Sequence, residues 1–311
     1  MPTISEIQYS YTGESISVSN HSLSQSSPVA KPVEGGRRIK ASSTASDPNR
    51  ALVTVITVVF NGERYLKDTI QSVVGQTYKN IEYIIIDGGS TDATLDIIRE
   101  FEDQIDYWMS EPDAGIYDAM NKGVMLARGD IIGILNSDDY YEPNAVDQAV
   151  KQFNQNENTI IHGALNYFQS NDFAFRLDSE HTSRESLKRM VELHPTMFVP
   201  AGIYKNVGLY DLDFPSIADW DFAIRCHRRG IKFTYLDSVL TNFRLGGESS
   251  RTTVHRAREK WRLRKKYGLK WSGLHYLGDL INLSALLILD YAGLRNWYQK
   301  YKQRKQRSSS K

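Results

Sequence analysis

Several short polar clusters in this 311-residue sequence sit where an apolar run ends or a helix begins, and their residue types could bind or move charge. Asn136-Ser137-Asp138-Asp139 carries two adjacent carboxylates. Oxygen ligands of this kind hold hard cations such as Mn2+ or Mg2+. A cation there would neutralise a departing diphosphate. A solvated acidic turn is the plainer alternative. Ala218-Asp219-Trp220-Asp221-Phe222 opens a helical pattern. A carboxylate beside aromatic rings is placed to take a proton from an attacking hydroxyl. Asp219 and Asp221 both qualify, and either could instead cap the helix.

Three further clusters have the chemistry of ligand loops. In Asp87-Gly88-Gly89-Ser90-Thr91-Asp92 the paired glycines let backbone approach a ligand closely, and Asp87 can accept from a base N–H or a ribose hydroxyl. In Thr57-Val58-Val59-Phe60-Asn61-Gly62, Phe60 can pack on a nucleobase while Thr57 or Asn61 bonds to it, although an Asn-Gly turn also fits. The stretch Glu111–Gly123 holds Asp113, Gly115, Asp118 and Asn121, which suit either a donor-binding loop or a loop with a helix cap. His194, in His194-Pro195-Thr196, can reach an acceptor, and a structural histidine accounts for it equally well.

The elements between these clusters set where they stand. Leu52–Phe60 and Ile81–Ile86 are β-branched runs that predict strands buried on both faces. Glu63–Gln76, Thr91–Phe101 and Ala119–Ala127 have helical spacing, with Ser90 or Thr91 as cap of the second. Ile105–Met109 and Asp130–Leu135 predict two more strands. Strand and helix alternating in this way predict an open parallel sheet with helices on both faces. Ligands of such sheets sit beyond the carboxyl ends of the strands, where the clusters fall.

Composition excludes several classes. Cys226 is the only cysteine, so neither an intrachain disulfide nor a cysteine zinc site is possible, and a reducing compartment is expected. No apolar stretch approaches the roughly 20 residues needed to span a bilayer. The N-terminus lacks a basic flank before an apolar run, so no secretory signal is expected. The net charge of +1 divides unevenly into +1 for residues 1–50, −13 for 51–250 and +13 for 251–311. An acidic body suits a metal-assisted site, and a basic tail suits an anionic partner. Residues 1–50 contain twelve serines and predict a disordered leader.

Taken together, the clusters resemble the nucleotide-sugar-dependent glycosyltransferases of family 2. The likeness covers about residues 52–245 and rests on VITVVFNGERYLKDTIQSVVGQTYKNIEYIIIDGGSTDAT, EPDAGIYDAMNKG, LNSDD and ADWDF. It looks most similar to bacterial exopolysaccharide and colanic-acid-type transferases. The resemblance implies a GT-A fold: a Rossmann-like nucleotide-binding half with a mainly parallel sheet over 51–140, an acceptor half over 141–250, and a C-terminal helical extension. It implies that Thr57, Phe60, Asn61, Asp87, Asp113, Gly115, Asn121 and Asp138 meet the donor. It also implies that Asp139, with Asp138, holds Mn2+ or Mg2+ at a DxD-type motif, with Asp139 the preferred ligand. Asp219 stands at the base position, Asp221 is second choice, and His194 and Trp220 lie toward the acceptor. Three departures are Ser137 at the first DxD position, Met120 where many relatives carry arginine, and Ala218 before the base.

The implied reaction is inverting transfer from a UDP-, GDP- or dTDP-sugar to a glycan or lipid-linked acceptor, in cell-surface or extracellular polysaccharide synthesis. Residues 251–311 combine a basic helical stretch over 252–267 with apolar residues at helical spacing over 274–297, which fits an anionic membrane surface or packing on the core. The expected location is the cytoplasm, peripheral to the inner face of the plasma membrane. Nucleic acid is disfavoured by the acidic body. A sugar-phosphate nucleotidyltransferase would need a Gly-rich basic loop after the first strand, which Asn61-Gly62-Glu63 does not supply. A non-catalytic sugar-nucleotide-binding scaffold at the membrane is the other alternative.

Overall fold

The computed structural model describes residues 32–40, 47–153, 158–169, 172–178, 193–245 and 254–269. Four parallel strands form the sheet's centre: β2 (Val53–Val59), β3 (Ile81–Asp87), β4 (Tyr107–Ser110) and β5 (Ile131–Asn136). They lie in the order β4-β3-β2-β5, so the order reverses between β2 and β5. At this reversal Val59 pairs with Asp87 on one side and Val58 with Asn136 on the other, which sets three polar clusters side by side.

Alternation along β2 sends its side chains to two cores. Ile56 and Val58 pack with α3 (Ile116–Leu126), α5 (Ala201–Val207) and α6 (Ala218–Arg228). Val53, Val55 and Val59 pack with α1 (Leu66–Val74), α2 (Thr94–Glu100) and α4 (Ala145–Gln152). Helix α3 approaches β2 closely at Gly123, where an added Cβ would stand 2.4 Å from Ile56. The sheet continues antiparallel through β9 (Phe198–Pro200), then β7 (Thr159–Gln169) and its parallel neighbour β10 (Lys232–Leu245). The short β6 (Tyr140–Tyr141) pairs with β10, and β8 (Asp172–Leu177) pairs with β7.

The strands and helices predicted between residues 52 and 135 form, with shifted ends; α3 begins three residues earlier than its apolar spacing predicts. The predicted leader over residues 1–50 is corrected at 33–40. There β1 (Val33–Gly35) adds to the sheet edge, antiparallel to β4. Arg37 pairs with Asp106 at 2.8 Å, and Arg38 pairs with Glu82. Three residues are too few to show a period, and the strand exists because the β4 edge offers it unpaired backbone groups. The rest of the serine-rich segment, residues 1–31 and 41–46, lies outside the described residues.

The basic helix α7 (Val254–Tyr267) packs against α6 and the turn before it. Leu263 is fully buried, and Glu259 accepts from the amide and hydroxyl of Ser216, both at 2.9 Å. No helix among the described residues is long and apolar enough to cross a membrane. The amphipathic stretch at 274–297 lies outside the described residues.

Candidate active site

The carboxyl ends of β2, β3 and β5 carry interlocked loops. Asn61, at φ 50°, donates its amide to Ser90 Oγ at 2.7 Å and accepts from the Thr91 amide at 2.9 Å. An added Cβ at Gly62 would stand 3.2 Å from Ser137 Oγ, so the first loop lies against the Ser137 turn. On the other side, an added Cβ at Gly88 would stand 2.5 Å from Asp113 Oδ2. Asp113 accepts from the Gly115 amide at 2.8 Å, and burial pushes its carboxyl up from the ordinary range. Gly115, at φ 114°, leads into α3, and Tyr117 in the first turn of that helix reaches Asp219. Contacts therefore run without a break from Ser137 to Asp219, although their segments are far apart in sequence.

Side chains of this neighbourhood divide into open and enclosed. Phe60 is 64% exposed, Asn61 is exposed, and Asp113, Asp138 and Asp219 are half-buried. Asp87 is fully enclosed. It accepts from the amides of Gly89 and Ser90 at 3.2 and 3.0 Å, from Ser110 Oγ at 2.6 Å and from the Ser90 hydroxyl. It shapes the turn and has no exposed atom for a ribose. Thr57 is likewise enclosed, its hydroxyl 3.0 Å from that of Tyr83, because its place in β2 turns it toward the α1 side. Asn121 is buried with both ends of its amide on the backbone of Tyr210, each at 2.9 Å. All three side chains are engaged by neighbouring protein groups at the base of these loops.

The two carboxylates of the acidic turn differ in exposure. Asp139 has no exposed surface. Its Oδ1 accepts from the Arg244 amide and its Oδ2 from Asn136 Nδ2, both at 3.1 Å. Burial, reinforced by Asp138, pushes its carboxyl well above the usual range. Asp138 is the half-buried member; burial raises its carboxyl too, and the Arg244 guanidinium opposes the rise. The turn is clamped from two sides. Thr69 Oγ1 donates to the Ser137 and Asp139 carbonyls at 2.8 and 2.7 Å, and Arg244 donates to the Asp138 carbonyl at 2.9 Å. Arg244 itself lies over the rings of Tyr65 and Tyr140, at 4.4 and 4.8 Å, and donates to Asp68 at 2.7 Å. Sequence spacing gave no sign of Arg244, which arrives from β10 through long-range pairing.

At the start of α6 the two aspartates part company. Asp221 is fully buried, with Arg225 on Oδ2 at 2.6 Å, and Lys266 and Tyr267 on Oδ1 at 2.8 and 2.7 Å. Both of its carboxylate oxygens are thus engaged by donors. Asp219 is half-buried and accepts on Oδ1 from the Tyr117 hydroxyl and the Trp220 amide, both at 2.9 Å. Trp220 is buried beneath the Arg264 guanidinium at 5.2 Å. His194 is also buried, its Nε2 2.9 Å from the Tyr210 hydroxyl, and burial lowers its pKa. It stands behind the site through Tyr210 and presents no open face to an acceptor.

The family profile of Glycosyl transferase family 2 matches residues 54–206. A PGL/p-HBAD biosynthesis glycosyltransferase of Mycobacterium bovis is 32% identical over 213 residues, covering 65% of this chain and 80% of that one. The chain belongs to glycosyltransferase family 2. An uncharacterized glycosyltransferase of Rickettsia typhi is 28% identical over 252 residues, 76% of this family 2 chain and 75% of its own length. The family's GT-A architecture is shared with solved structures. S. aureus TarS in complex with UDP-GlcNAc superposes with a TM-score of 0.59 at 17% identity, over 72% of this chain and 69% of that one. The mannosyltransferase PcManGT of Pyrobaculum calidifontis, in complex with GDP-Man and Mn2+, gives 0.55 at 18% identity, over 73% and 67%. The profile ends before α6, so Asp219 lies outside the matched part of the glycosyltransferase, whereas its partner Tyr117 lies within it.

Proposed function

We propose that this glycosyltransferase is inverting and metal-assisted, moving a sugar from a nucleoside diphosphate sugar to a hydroxyl of a glycan or lipid-linked acceptor. The observation that carries the reading is the contrast within α6. Asp219 keeps Oδ2 free of any donor among the described residues, whereas Asp221 has donors on both oxygens. Asp219 takes the acceptor's proton as the acceptor oxygen attacks the anomeric carbon. The bond to the diphosphate breaks on the opposite face, so configuration inverts. Phe60 and Asn61 offer the donor base an exposed ring and a fixed turn, and Asp113 and Gly115 form the loop on the donor's other flank.

The donor set fits a hard divalent cation held lightly by protein. No group of three or more His, Cys, Asp or Glu able to hold a metal occurs among the described residues. Asp138 offers one half-buried carboxylate, which suits Mn2+ or Mg2+ completed by phosphate oxygens and water. Such a cation would supply positive charge to the leaving diphosphate. Arg244 and Thr69 hold the Asp138 turn in place, so the carboxylate needs little reorganisation to serve.

Membrane association belongs to the same proposal. The outward stripe of α7 holds Arg258, Trp261, Arg262 and Lys265, and Trp261 is 43% exposed. A cationic stripe with one interfacial aromatic suits an anionic lipid surface at the cytoplasmic face, where cell-surface or extracellular polysaccharide precursors are built.

The test is thermal stabilisation by UDP-GlcNAc, GDP-Man and dTDP-glucose with and without MnCl2. Release of nucleoside diphosphate from whichever donor binds, and the anomeric configuration of the product, then follow. Asp219→Asn is expected to lower turnover by about 10²–10⁴-fold while donor stabilisation persists. Wild-type turnover in that variant, or retention of configuration, would sink the mechanism.

A further inference from the structure

The carboxylate assigned as base is held from another helix. Tyr117, in the first turn of α3 and 102 residues earlier in the chain, donates its hydroxyl to Asp219 Oδ1 at 2.9 Å. One helical turn on, Asn121 fixes the backbone of Tyr210 with two hydrogen bonds of 2.9 Å. The Tyr117 and Tyr210 rings lie 5.5 Å apart at 37°. The Tyr210 hydroxyl in turn meets His194 Nε2 at 2.9 Å and the Tyr204 hydroxyl at 3.1 Å. Tyr117, Tyr204 and Tyr210 are all buried. The same turn of α3 closes the donor loop: Asp118 accepts from the Ala114 amide at 3.0 Å, and Lys122 pairs with Glu111 at 2.8 Å.

Resting on the reading of Asp219 as base, we infer that Tyr117 is a positioning residue that fixes Asp219 Oδ1, leaves Oδ2 to the acceptor hydroxyl, and ties the base to the donor loop through α3. A carboxylate turns easily about its terminal torsion, which is broad and two-fold. The Trp220 amide belongs to the same helix as Asp219 and cannot alone set the carboxylate against the donor. The Tyr117 hydroxyl comes from the donor side and sets that relation. Proton transfer depends on such geometry, and a displacement of about 1 Å can cost on the order of a hundredfold in rate. A tyrosine that merely satisfied its hydroxyl on the nearest acceptor would make the same bond without this effect on rate.

The decisive experiment is a double-mutant cycle on the full chain, with release of nucleoside diphosphate from UDP-GlcNAc or GDP-Man as readout. Tyr117→Phe keeps the ring against Tyr210. It is expected to lower kcat roughly ten- to a hundredfold with KM for the nucleotide sugar within about twofold. In the Asp219→Asn background the same change is expected to alter kcat by less than about twofold, since no base remains to be positioned. Wild-type kcat in Tyr117→Phe, or an equal loss in both backgrounds, overturns the positioning role. Wild-type kcat in Asp219→Asn defeats the base assignment itself, so the two failures are distinguishable. Difluorotyrosine at position 117 keeps ring and hydroxyl while strengthening the donor, which serves if Tyr117→Phe does not fold. Because the hydrogen bond to Asp219 is kept, kcat within about twofold of the parent is expected, and a loss of about tenfold or more counts against the role.

Discussion

The amide of Arg244 donates to Oδ1 of Asp139 at 3.1 Å across 105 residues of sequence, and the Arg244 side chain grips the carbonyl of Asp138. One residue of β10 thus fixes both members of the acidic turn, the enclosed Asp139 through its backbone and the open Asp138 through its guanidinium.

The two aspartates are therefore expected to respond differently to substitution. Asp139→Ala leaves the Arg244 amide buried without its acceptor, at a cost of about 1–3 kcal/mol, and lowers the melting temperature with or without ligand. Asp138→Asn is expected to melt within a few degrees of the parent and to lose Mn2+-dependent stabilisation by UDP or GDP. Calorimetry with and without MnCl2 checks both, and a ligand-independent loss at Asp138 would remove it as the metal residue.

Arg244→Lys keeps a positive charge but loses the planar contact with Tyr65 and Tyr140 and the fork that spans Asp68 and the Asp138 carbonyl. The expected outcome is a destabilisation of about 1–3 kcal/mol in urea melts, together with weaker Mn2+ binding. Stability and cation affinity equal to the parent would show that the clamp is idle.

His194 gives the acid limb of stability a defined origin. Burial lowers its folded-state pKa below 6.5, with the Asp219 charge opposing, so the folded protein holds the ring neutral. The unfolded chain takes up the proton first as pH falls through about 6.5, which stabilises the unfolded state. Stability is expected to fall from about pH 6.5 toward the lower folded-state value, and His194→Gln is expected to flatten that part of the profile. Melting temperatures between pH 5 and 8 decide it; parallel profiles for the two proteins would refute the assignment.

Helix α7 offers a test of fold against membrane. Leu263→Ala opens a cavity at a fully buried position and is expected to cost about 2–5 kcal/mol. Arg258→Ala with Lys265→Ala on the outward stripe is expected to leave the melting temperature nearly unchanged. That pair is expected to weaken sedimentation with phosphatidylserine vesicles by about 1 kcal/mol per charge. Undiminished sedimentation at low salt would rule out this stripe as the lipid contact.

Much of the architecture is legible in the residues. The β-branched runs at 52–60 and 81–86 and the helical spacing between them set the parallel centre of the sheet, because periodicity and β-branching are local properties. The polar clusters at the strand ends follow from the same alternation. β1 was hidden because a three-residue edge strand carries no pattern of its own, and its partner β4 lies over seventy residues away.

The choice among carboxylates was not local. Asp138 and Asp139 are adjacent, and Asp219 and Asp221 share one helical turn, so no spacing rule ranks them. Which oxygen stays open is decided by Arg244 from β10, by Lys266 and Tyr267 from α7, and by Tyr117 from α3. The sequence by itself determined the four parallel strands, the helices between them, the clusters and the family. Only tertiary packing decided which charges are enclosed, because desolvation and hydrogen bonding are set by neighbours that meet only when the chain is folded.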